Sequence, residues 1–337
     1  MSRGEQVELL RWTPSSHYNS MVIPKLKSES PEAAIEAFLT ATARAPELSG
    51  LIIDIDPKGL ASQSKQNWEV LDTIGSKAVL VVANRHGDHL KNDSRIQEFD
   101  HVINGSRLPF LLIPVGASLR LTESVRTEFH NLLANTFRIT FFIGGSDVDP
   151  SHYNEETTDA KDTNYLRDSL EISLAKDIFR SGVGRLFGVC RGAQLIAVAL
   201  GYKLTQEVHA VIGSTLQHGS GLPGGVGVSH EIIVEPTIRM WIANMAGLVG
   251  KGVLKVIRTV VNSFHHQAII WRANGPLVIS GRAPDGTIEW MESLDGRVIL
   301  RQDHPEKAVL SPPDVRFFRE LIQSSSLFVR IRCANLL

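Results

Sequence analysis

Residues 188–192, Gly-Val-Cys-Arg-Gly, most constrain how this 337-residue chain can fold. An apolar run at residues 184–189 precedes the cysteine and is typical of a short buried strand. A second apolar run follows it, has the composition of a helix, and ends at Gly201. Because Gly188 and Gly192 stand on either side of Cys190, the backbone can turn sharply there. The pattern therefore predicts a strand, a tight elbow and a helix, with Cys190 at the elbow.

Cys190 is a candidate nucleophile because of this predicted position. A thiol at the start of a helix faces unpaired backbone N–H groups and the positive end of the helix dipole. Both favour the thiolate, which is the nucleophilic form. The alternative interpretation is a buried cysteine that serves only as a small apolar residue.

The candidate base and its partner lie in the sequence Gln-Asp-His-Pro-Glu at residues 302–306, after an apolar strand at residues 298–300. Residues two apart at a strand end point the same way, so His304 and Glu306 can lie side by side. The carboxylate can hold one imidazole nitrogen while the other nitrogen faces the sulfur. Taken alone, this stretch also fits a solvated turn. Downstream of the glycine-flanked Cys190, it predicts a catalytic group of a thiol, an imidazole and an acid.

Five segments of the chain, in order, resemble the class I glutamine amidotransferase superfamily. Within that superfamily the chain is most similar to peptidase family C26, of the γ-glutamyl-γ-aminobutyrate hydrolase type. The similarity extends over about two thirds of the chain, with departures that include Asp303, where the family usually has an aromatic residue. The five segments lie at residues 142–150, 188–195, 261–269, 283–289 and 302–306.

The resemblance implies a mechanism for the hydrolysis of γ-glutamyl amides. Cys190 attacks the γ-carbonyl, His304 protonates the leaving amine, Glu306 orients His304, and water then hydrolyses the thioester. The oxyanion needs fixed donors, and we assign them to the backbone N–H groups of Gly145 and Arg191. A small γ-glutamyl compound is thus the expected partner, and neither a cofactor nor a metal is expected.

Three residues are predicted to bind the substrate: Gly144, Gln194 and His266. Gln194 lies four residues beyond Cys190 and hence on the same helix face, and the resemblance implies that it contacts the glutamyl group. His266 either lines the pocket or braces a loop. Its neighbour His265 is not expected to form a metal pair with it, because adjacent side chains diverge.

A helix predicted at residues 164–179 carries two acids of uncertain role. Asp168 and Glu171 lie three residues apart, and the resemblance places such a helix near the glycine-rich loop. A solvated helix face is an equal alternative. The stretch Arg-His-Gly-Asp-His at residues 85–89 is interpreted as a loop after a strand rather than as a metal site.

Composition excludes several classes of protein. The formal net charge is −1, which argues against nucleic acid or an anionic membrane as a partner. Only two cysteines occur, Cys190 and Cys333, so a disulfide framework is not expected. No run approaches the roughly 20 apolar residues of a membrane span. We expect a cytoplasmic protein whose thiol stays reduced, and a homo-oligomer remains open.

The alternation of predicted strands and helices indicates an α/β fold with a mostly parallel sheet and helices on both faces. The resemblance implies the flavodoxin-like arrangement of class I glutamine amidotransferases. The reactive groups then lie at the carboxyl ends of strands. The predicted strands lie at residues 110–115, 138–143, 185–189 and 298–300, and the helices at 122–135, 164–179 and 191–200.

Two domains are expected, an N-terminal α/β extension at residues 1–105 and a hydrolase domain at residues 106–337. Strands at residues 51–55 and 78–82, with helices near residues 31–41 and 65–74, suggest that the extension is folded. It forms either a separate domain or a continuation of the main sheet.

Two other functions remain open. The chain could be the glutaminase component of an ammonia-transferring amidotransferase, although the extension lacks a Gly-x-x-x-x-Gly-Lys-Ser/Thr nucleotide loop. It could also be a non-catalytic module that binds a γ-glutamyl ligand or a protein. The presence of all three candidate catalytic side chains argues against this last reading.

Overall fold

A computed structural model of the chain describes residues 8–12, 50–54, 79–83, 110–114, 123–213, 216–219, 227–235, 241–249, 257–307 and 312–334. The strands within these ranges are β1 (Glu8–Trp12), β2 (Gly50–Asp54), β3 (Val79–Ala83), β4 (Phe110–Pro114), β5 (Ile139–Phe142), β6 (Arg185–Val189), β7 (Lys203–Thr205), β8 (Val228–Val234), β9 (Ile257–Ser263), β10 (Ala268–Ile270), β11 (Leu277–Arg282), β12 (Ile288–Ser293) and β13 (Val298–Arg301). The α-helices are α1 (Glu123–Thr136), α2 (Tyr165–Ser181), α3 (Arg191–Ala199), α4 (Val208–Ile212), α5 (Trp241–Met245) and α6 (Pro312–Ala334).

Eleven of these strands form one sheet, in the order β1-β2-β4-β3-β5-β6-β13-β12-β11-β8-β9. The six strands from β2 to β13 in this order are parallel to one another. Antiparallel strands extend the sheet on both sides, β1 at one edge and the four strands from β12 to β9 at the other. The predicted α/β architecture is confirmed.

The central strands separate two apolar cores. Leu186 of β6 packs into a core shared with α1, α2 and α3, and the next residue, Phe187, packs into a core shared with α5 and α6. This alternation follows from the period of two along a strand. Every residue of β6 is buried, as expected for a parallel strand with both faces covered. Helices on both faces, as predicted, therefore enclose the strand that leads to Cys190.

The N-terminal strands belong to the same sheet as the strands of the predicted hydrolase domain. β3 lies between β4 and β5, and β2 pairs with the other side of β4. The division at residue 105 stays a prediction. The helices predicted near residues 31–41 and 65–74, and the loop at residues 85–89, lie outside the described residues.

The predicted elements of the C-terminal region agree with those observed to within two residues at each end. The hairpin at residues 283–289 is also present, as the turn between β11 and β12. The antiparallel strands β8 and β9 and the long helix α6 were not predicted. Among the described helices, none combines the length and apolar character that a membrane crossing requires.

Candidate active site

Cys190 occupies the elbow between β6 and α3. Its backbone has φ 49° and ψ −114°, a conformation that costs a residue with a side chain about 1–3 kcal/mol. The surrounding backbone holds it there, because the Cys190 N–H donates to the carbonyl of Arg301 at 2.8 Å. The Gln194 N–H in turn donates to the Cys190 carbonyl at 3.1 Å. The predicted elbow is confirmed.

Gly192 allows the elbow to pack against the neighbouring strand. A Cβ at this position would lie 2.0 Å from the carbonyl oxygen of Phe142, the last residue of β5. No larger side chain fits without moving the backbone. Gly192 is therefore needed to bring α3 onto the end of β5, where the glycine-rich loop begins.

The sheet brings the three predicted catalytic side chains together. β6 and β13 are adjacent parallel strands, with Val189 opposite Arg301, so Cys190 and His304 emerge at the same edge of the sheet. The Nδ1 atom of His304 lies 2.6 Å from Oε1 of Glu306, and the Cys190 sulfur lies close enough to the ring to raise its pKa. Cys190 and His304 are each 8% exposed, so the pair is buried at this edge of the sheet.

The surroundings of His304 favour its charged form. Burial disfavours the imidazolium, but the Glu306 carboxylate and the Cys190 sulfur act in the opposite direction. The net result raises the pKa of His304 well above its ordinary value. A positively charged imidazole therefore lies beside the Cys190 sulfur.

Asn262 of β9 fixes the backbone of His304 from both sides. The Asn262 Nδ2 donates to the His304 carbonyl at 2.8 Å, and the His304 N–H donates to Asn262 Oδ1 at 2.7 Å. The ring of Phe264 also meets the imidazole edge to face, with centroids 5.4 Å apart. Sequence reasoning gave Asn262 no role, because no local spacing connects two residues that are 42 positions apart.

The glycine-rich loop lies directly against the reactive pair. A Cβ on Gly144 would lie 3.0 Å from Cε1 of His304 and 3.7 Å from Cβ of Cys190. Gly145 follows in the same loop, and Arg191 is the first residue of α3, where a backbone N–H has no partner within the helix. Both predicted oxyanion donors thus belong to segments next to the sulfur, and their role stays a prediction.

The Arg191 side chain lies in a buried ion-pair network between α3 and α2. Its guanidinium donates to the carboxylates of Asp168 and Glu171, and Glu171 also accepts from Nε of Arg167 at 2.8 Å. Asp168 and Glu171 are almost fully buried, so the alternative of a solvated helix face is wrong. Asp168 also accepts from the N–H of Asp149 at 2.8 Å, which ties the glycine-rich loop to the elbow.

We expect Arg191→Met to destabilise the protein by about 3–5 kcal/mol, since it leaves two buried carboxylates without their shared cation. Urea denaturation followed by circular dichroism measures the loss. Arg180→Met is the matched control on α2, because the Arg180 side chain is 73% exposed and lies 3.8 Å from its partner Asp177. That change should cost less than about 1 kcal/mol. Equal losses in the two variants would contradict a structural role for the buried network.

Gln194 is held by internal hydrogen bonds. Its side-chain amide donates to the carbonyl of Gln267 at 3.0 Å and to Oε1 of Gln302 at 3.1 Å. These bonds fix the side chain on the predicted face of α3, and contact with a substrate stays a prediction.

Asp303 accepts from Trp290 and pairs with Arg301, whereas the neighbouring His304 pairs with Glu306.

His266 braces the glycine-rich loop, which is one of its two predicted roles. Its Nε2 lies 2.9 Å from Oδ2 of Asp147 in that loop, and its Nδ1 lies 3.4 Å from Glu207 at the start of α4. The hydrogen bond with Asp147 is the main reason that the pKa of His266 is raised. The side chain is 17% exposed, and direct contact with a substrate stays a prediction.

The sequence is similar to that of a known protein family and of several named relatives. The sequence model of the family described as Peptidase C26 matches residues 74–306. A Mycobacterium tuberculosis protein named "Putative glutamine amidotransferase Rv2859c" is 34% identical over 206 residues, 60% of this chain and 61% of that protein. Protein NtpR of Enterococcus hirae is 31% identical over 166 residues, 48% of this chain and 64% of that protein. The chain thus matches less than two thirds of the length of either relative.

Two solved structures align with the chain at low sequence identity. The glutaminase domain of Trypanosoma brucei CTPS with bound acivicin aligns with a TM-score of 0.48 and 14% identity, over 74% of this chain and 94% of that chain. A glutamine amidotransferase of Thermotoga maritima aligns with a TM-score of 0.43 and 14% identity, over 75% of this chain and 89% of that chain.

Proposed function

Because the chain belongs to the Peptidase C26 family, we propose that it hydrolyses γ-glutamyl amide bonds through a thioester on Cys190. The observation that carries this proposal is the arrangement of Cys190, His304 and Glu306 at one edge of the sheet. A nucleophile, a base that it contacts and a carboxylate that orients the base form the constellation of covalent acyl transfer.

In the first half of the reaction, the Cys190 sulfur attacks the γ-carbonyl carbon and a C–S bond forms. The thiol proton resides on His304, and Glu306 holds Nδ1, which leaves Nε2 for the sulfur side. The carbonyl oxygen becomes an oxyanion that accepts from the N–H groups of Gly145 and Arg191. Each such donor typically contributes about 3–4 kcal/mol to transition-state stabilisation. When the C–N bond breaks, His304 gives its proton to the departing amine.

In the second half, water releases the glutamyl group. His304 is now neutral and takes a proton from a water molecule, whose oxygen attacks the thioester carbon. The C–S bond breaks, the sulfur leaves as a thiolate, and the imidazolium is restored beside it. Glutamate and the free amine are the products, and Glu306 stabilises the charged ring at both stages.

A glutaminase is the second candidate, and it is favoured by the name of the Mycobacterium tuberculosis relative. In that case glutamine is the substrate and ammonia passes to another active site. The two functions share the chemistry of the thioester and differ in the leaving group. Substrate preference therefore separates them.

We expect the purified chain to release glutamate from at least one γ-glutamyl amine or γ-glutamyl dipeptide faster than from glutamine. An enzymatic glutamate assay over a panel of such compounds measures the rates. The controls are α-glutamyl dipeptides, in which the amide bond lies on the α-carboxyl group instead of the γ-carboxyl group. Hydrolysis of glutamine alone would support the glutaminase instead. Absence of glutamate release from the entire panel would contradict both enzymes and favour a binding module.

A further inference from the structure

A second cluster of polar side chains lies buried beside the active site. It contains His218, His230 of β8, His265 after β9 and Glu289 of β12, with exposures of 0%, 7%, 3% and 1%. Oε1 of Glu289 lies 3.4 Å from Nδ1 of His218, from Nε2 of His230 and from Nε2 of His265. Four elements that are distant in sequence therefore aim one nitrogen or oxygen each at a common centre.

The outward-facing nitrogen of each imidazole meets an oxygen that can only accept a hydrogen bond. A proton must therefore sit on the outer nitrogen, and in a neutral ring the inner nitrogen then presents a lone pair to the centre. The three outer contacts are His218 Nε2 with Asp285 Oδ2 at 2.9 Å, His265 Nδ1 with the carbonyl of Gln267 at 2.9 Å, and His230 Nδ1 with the carbonyl of Glu231 at 3.3 Å.

The inner atoms lack hydrogen-bond partners. Among the described residues, neither the three inner nitrogens nor the two carboxylate oxygens of Glu289 has a hydrogen-bond partner. The 3.4 Å separations exceed the roughly 2.7–3.2 Å of a well-formed hydrogen bond. With neutral imidazole rings, the lone pairs and the negative charge of Glu289 face one another in a buried space and repel, and burying them unpaired is costly. A cation at the centre would remove both penalties.

The three separations measured from Glu289 fit a tetrahedral metal ion. Zinc bonds of about 2.0–2.1 Å to imidazole nitrogen or carboxylate oxygen place neighbouring ligand atoms about 3.3–3.4 Å apart in a tetrahedron. The three measured separations from Glu289 are each 3.4 Å, and all four ligand atoms lie within 4.8 Å of one another. Outer partners that fix the imidazole tautomer, here Asp285 and two backbone carbonyls, are typical of protein metal sites.

We propose that His218, His230, His265 and Glu289 bind one Zn²⁺ ion in a closed, structural site. Four protein ligands leave no position for water or substrate, which distinguishes a structural zinc from a catalytic one. The ion would fasten the segment around His218 and the turn after β9 to strands β8 and β12. This site differs from the sequence-based prediction that the chain binds no metal, and it does not depend on the proposed hydrolase function.

The proposed site would also support Gln194 and His266, two of the predicted substrate-binding residues. His265 and Gln194 contact the same carbonyl oxygen, that of Gln267, at 2.9 and 3.0 Å. His266, which follows His265, reaches the glycine-rich loop through Asp147. Loss of the ion should therefore loosen the residues around Gln194 without removing any of the three candidate catalytic side chains.

Metal content of the untagged full-length chain, purified without chelators, tests the proposal. Inductively coupled plasma mass spectrometry should find about one zinc per chain. Replacement by Co²⁺ should give the intense visible absorption of a tetrahedral cobalt site, and 1,10-phenanthroline should lower the melting temperature. Glu289→Gln and His230→Gln should each reduce the zinc content at least tenfold, whereas the control His152→Gln, outside the cluster, should retain it.

Three results would each overturn the zinc site. One is a wild-type chain that, after incubation with excess Zn²⁺ and gel filtration, carries less than about a tenth of an equivalent and gives no tetrahedral cobalt spectrum. The second is zinc that His152→Gln loses as fully as His230→Gln does. The third is a different metal that occupies the cluster in place of zinc. The wild-type measurements decide the question even where a ligand variant does not fold.

Discussion

Cys190→Ala is expected to abolish glutamate release, with a loss of about 10⁴-fold or more in kcat. The thioester cannot form without the sulfur, because the proposed mechanism has no other nucleophile. Alanine can adopt the same backbone angles and make the same backbone hydrogen bonds at the elbow, so α3 and the glycine-rich loop should keep their positions. The rate of glutamate release and the circular dichroism spectrum, measured on the same preparation, separate lost chemistry from lost folding.

Cys333→Ala is the matched control, because Cys333 is the other cysteine of the sequence. It should leave kcat within about twofold of wild type, since the proposed chemistry gives Cys333 no part. If Cys190→Ala retained a tenth or more of the wild-type rate while folded, Cys190 would not be the nucleophile. A comparable loss in Cys333→Ala would contradict the assignment in the same way.

Glu306→Gln is expected to reduce kcat by about 10³-fold, because the amide can still contact the imidazole but no longer stabilises its positive charge. Burial alone lowers the pKa of His304, and the Glu306 carboxylate is one of the groups that raises it. Removing that charge therefore lowers the pKa of His304. The imidazolium that protonates the leaving amine is then lost at a lower pH, and the alkaline limb of the kcat profile should move to lower pH.

Glu320→Gln on α6 is the control for Glu306→Gln, because it makes the same chemical change on a partly exposed part of that helix. It should alter neither kcat nor the pH profile. A Glu306→Gln variant with reduced kcat but an unmoved alkaline limb would show that Glu306 acts on packing rather than on the charge of His304. Wild-type kcat in this variant would remove Glu306 from the proposed mechanism.

The parts of the site that were predictable from sequence depend on local geometry. The elbow follows from Gly188 and Gly192 around Cys190, between a strand and a helix that each have a clear apolar pattern. The pairing of His304 with Glu306 follows from the direction of side chains two apart at the end of β13. Neither inference requires knowledge of which strands are neighbours.

The parts that were not predictable depend on strand order and on contacts between distant elements. β3 lies between β4 and β5, an order that the succession of elements along the chain does not determine. Asn262 reaches His304, and Arg191 reaches Asp168, only because their elements pack together in the folded chain. The position of β8 beside β9 likewise brings His230 towards His265 and Glu289.

A glutamyl adduct on the peptide that contains Cys190, trapped during turnover, would identify Cys190 as the nucleophile. The wild-type chain is mixed with a γ-glutamyl anilide, whose good leaving group favours accumulation of the acyl-enzyme, quenched in acid, digested and analysed by mass spectrometry. We expect the added mass of one glutamyl group on the peptide that contains Cys190, and no added mass on the corresponding peptide of Cys190→Ala. Glutamate release without any adduct on Cys190, or an adduct confined to another residue, would contradict this assignment.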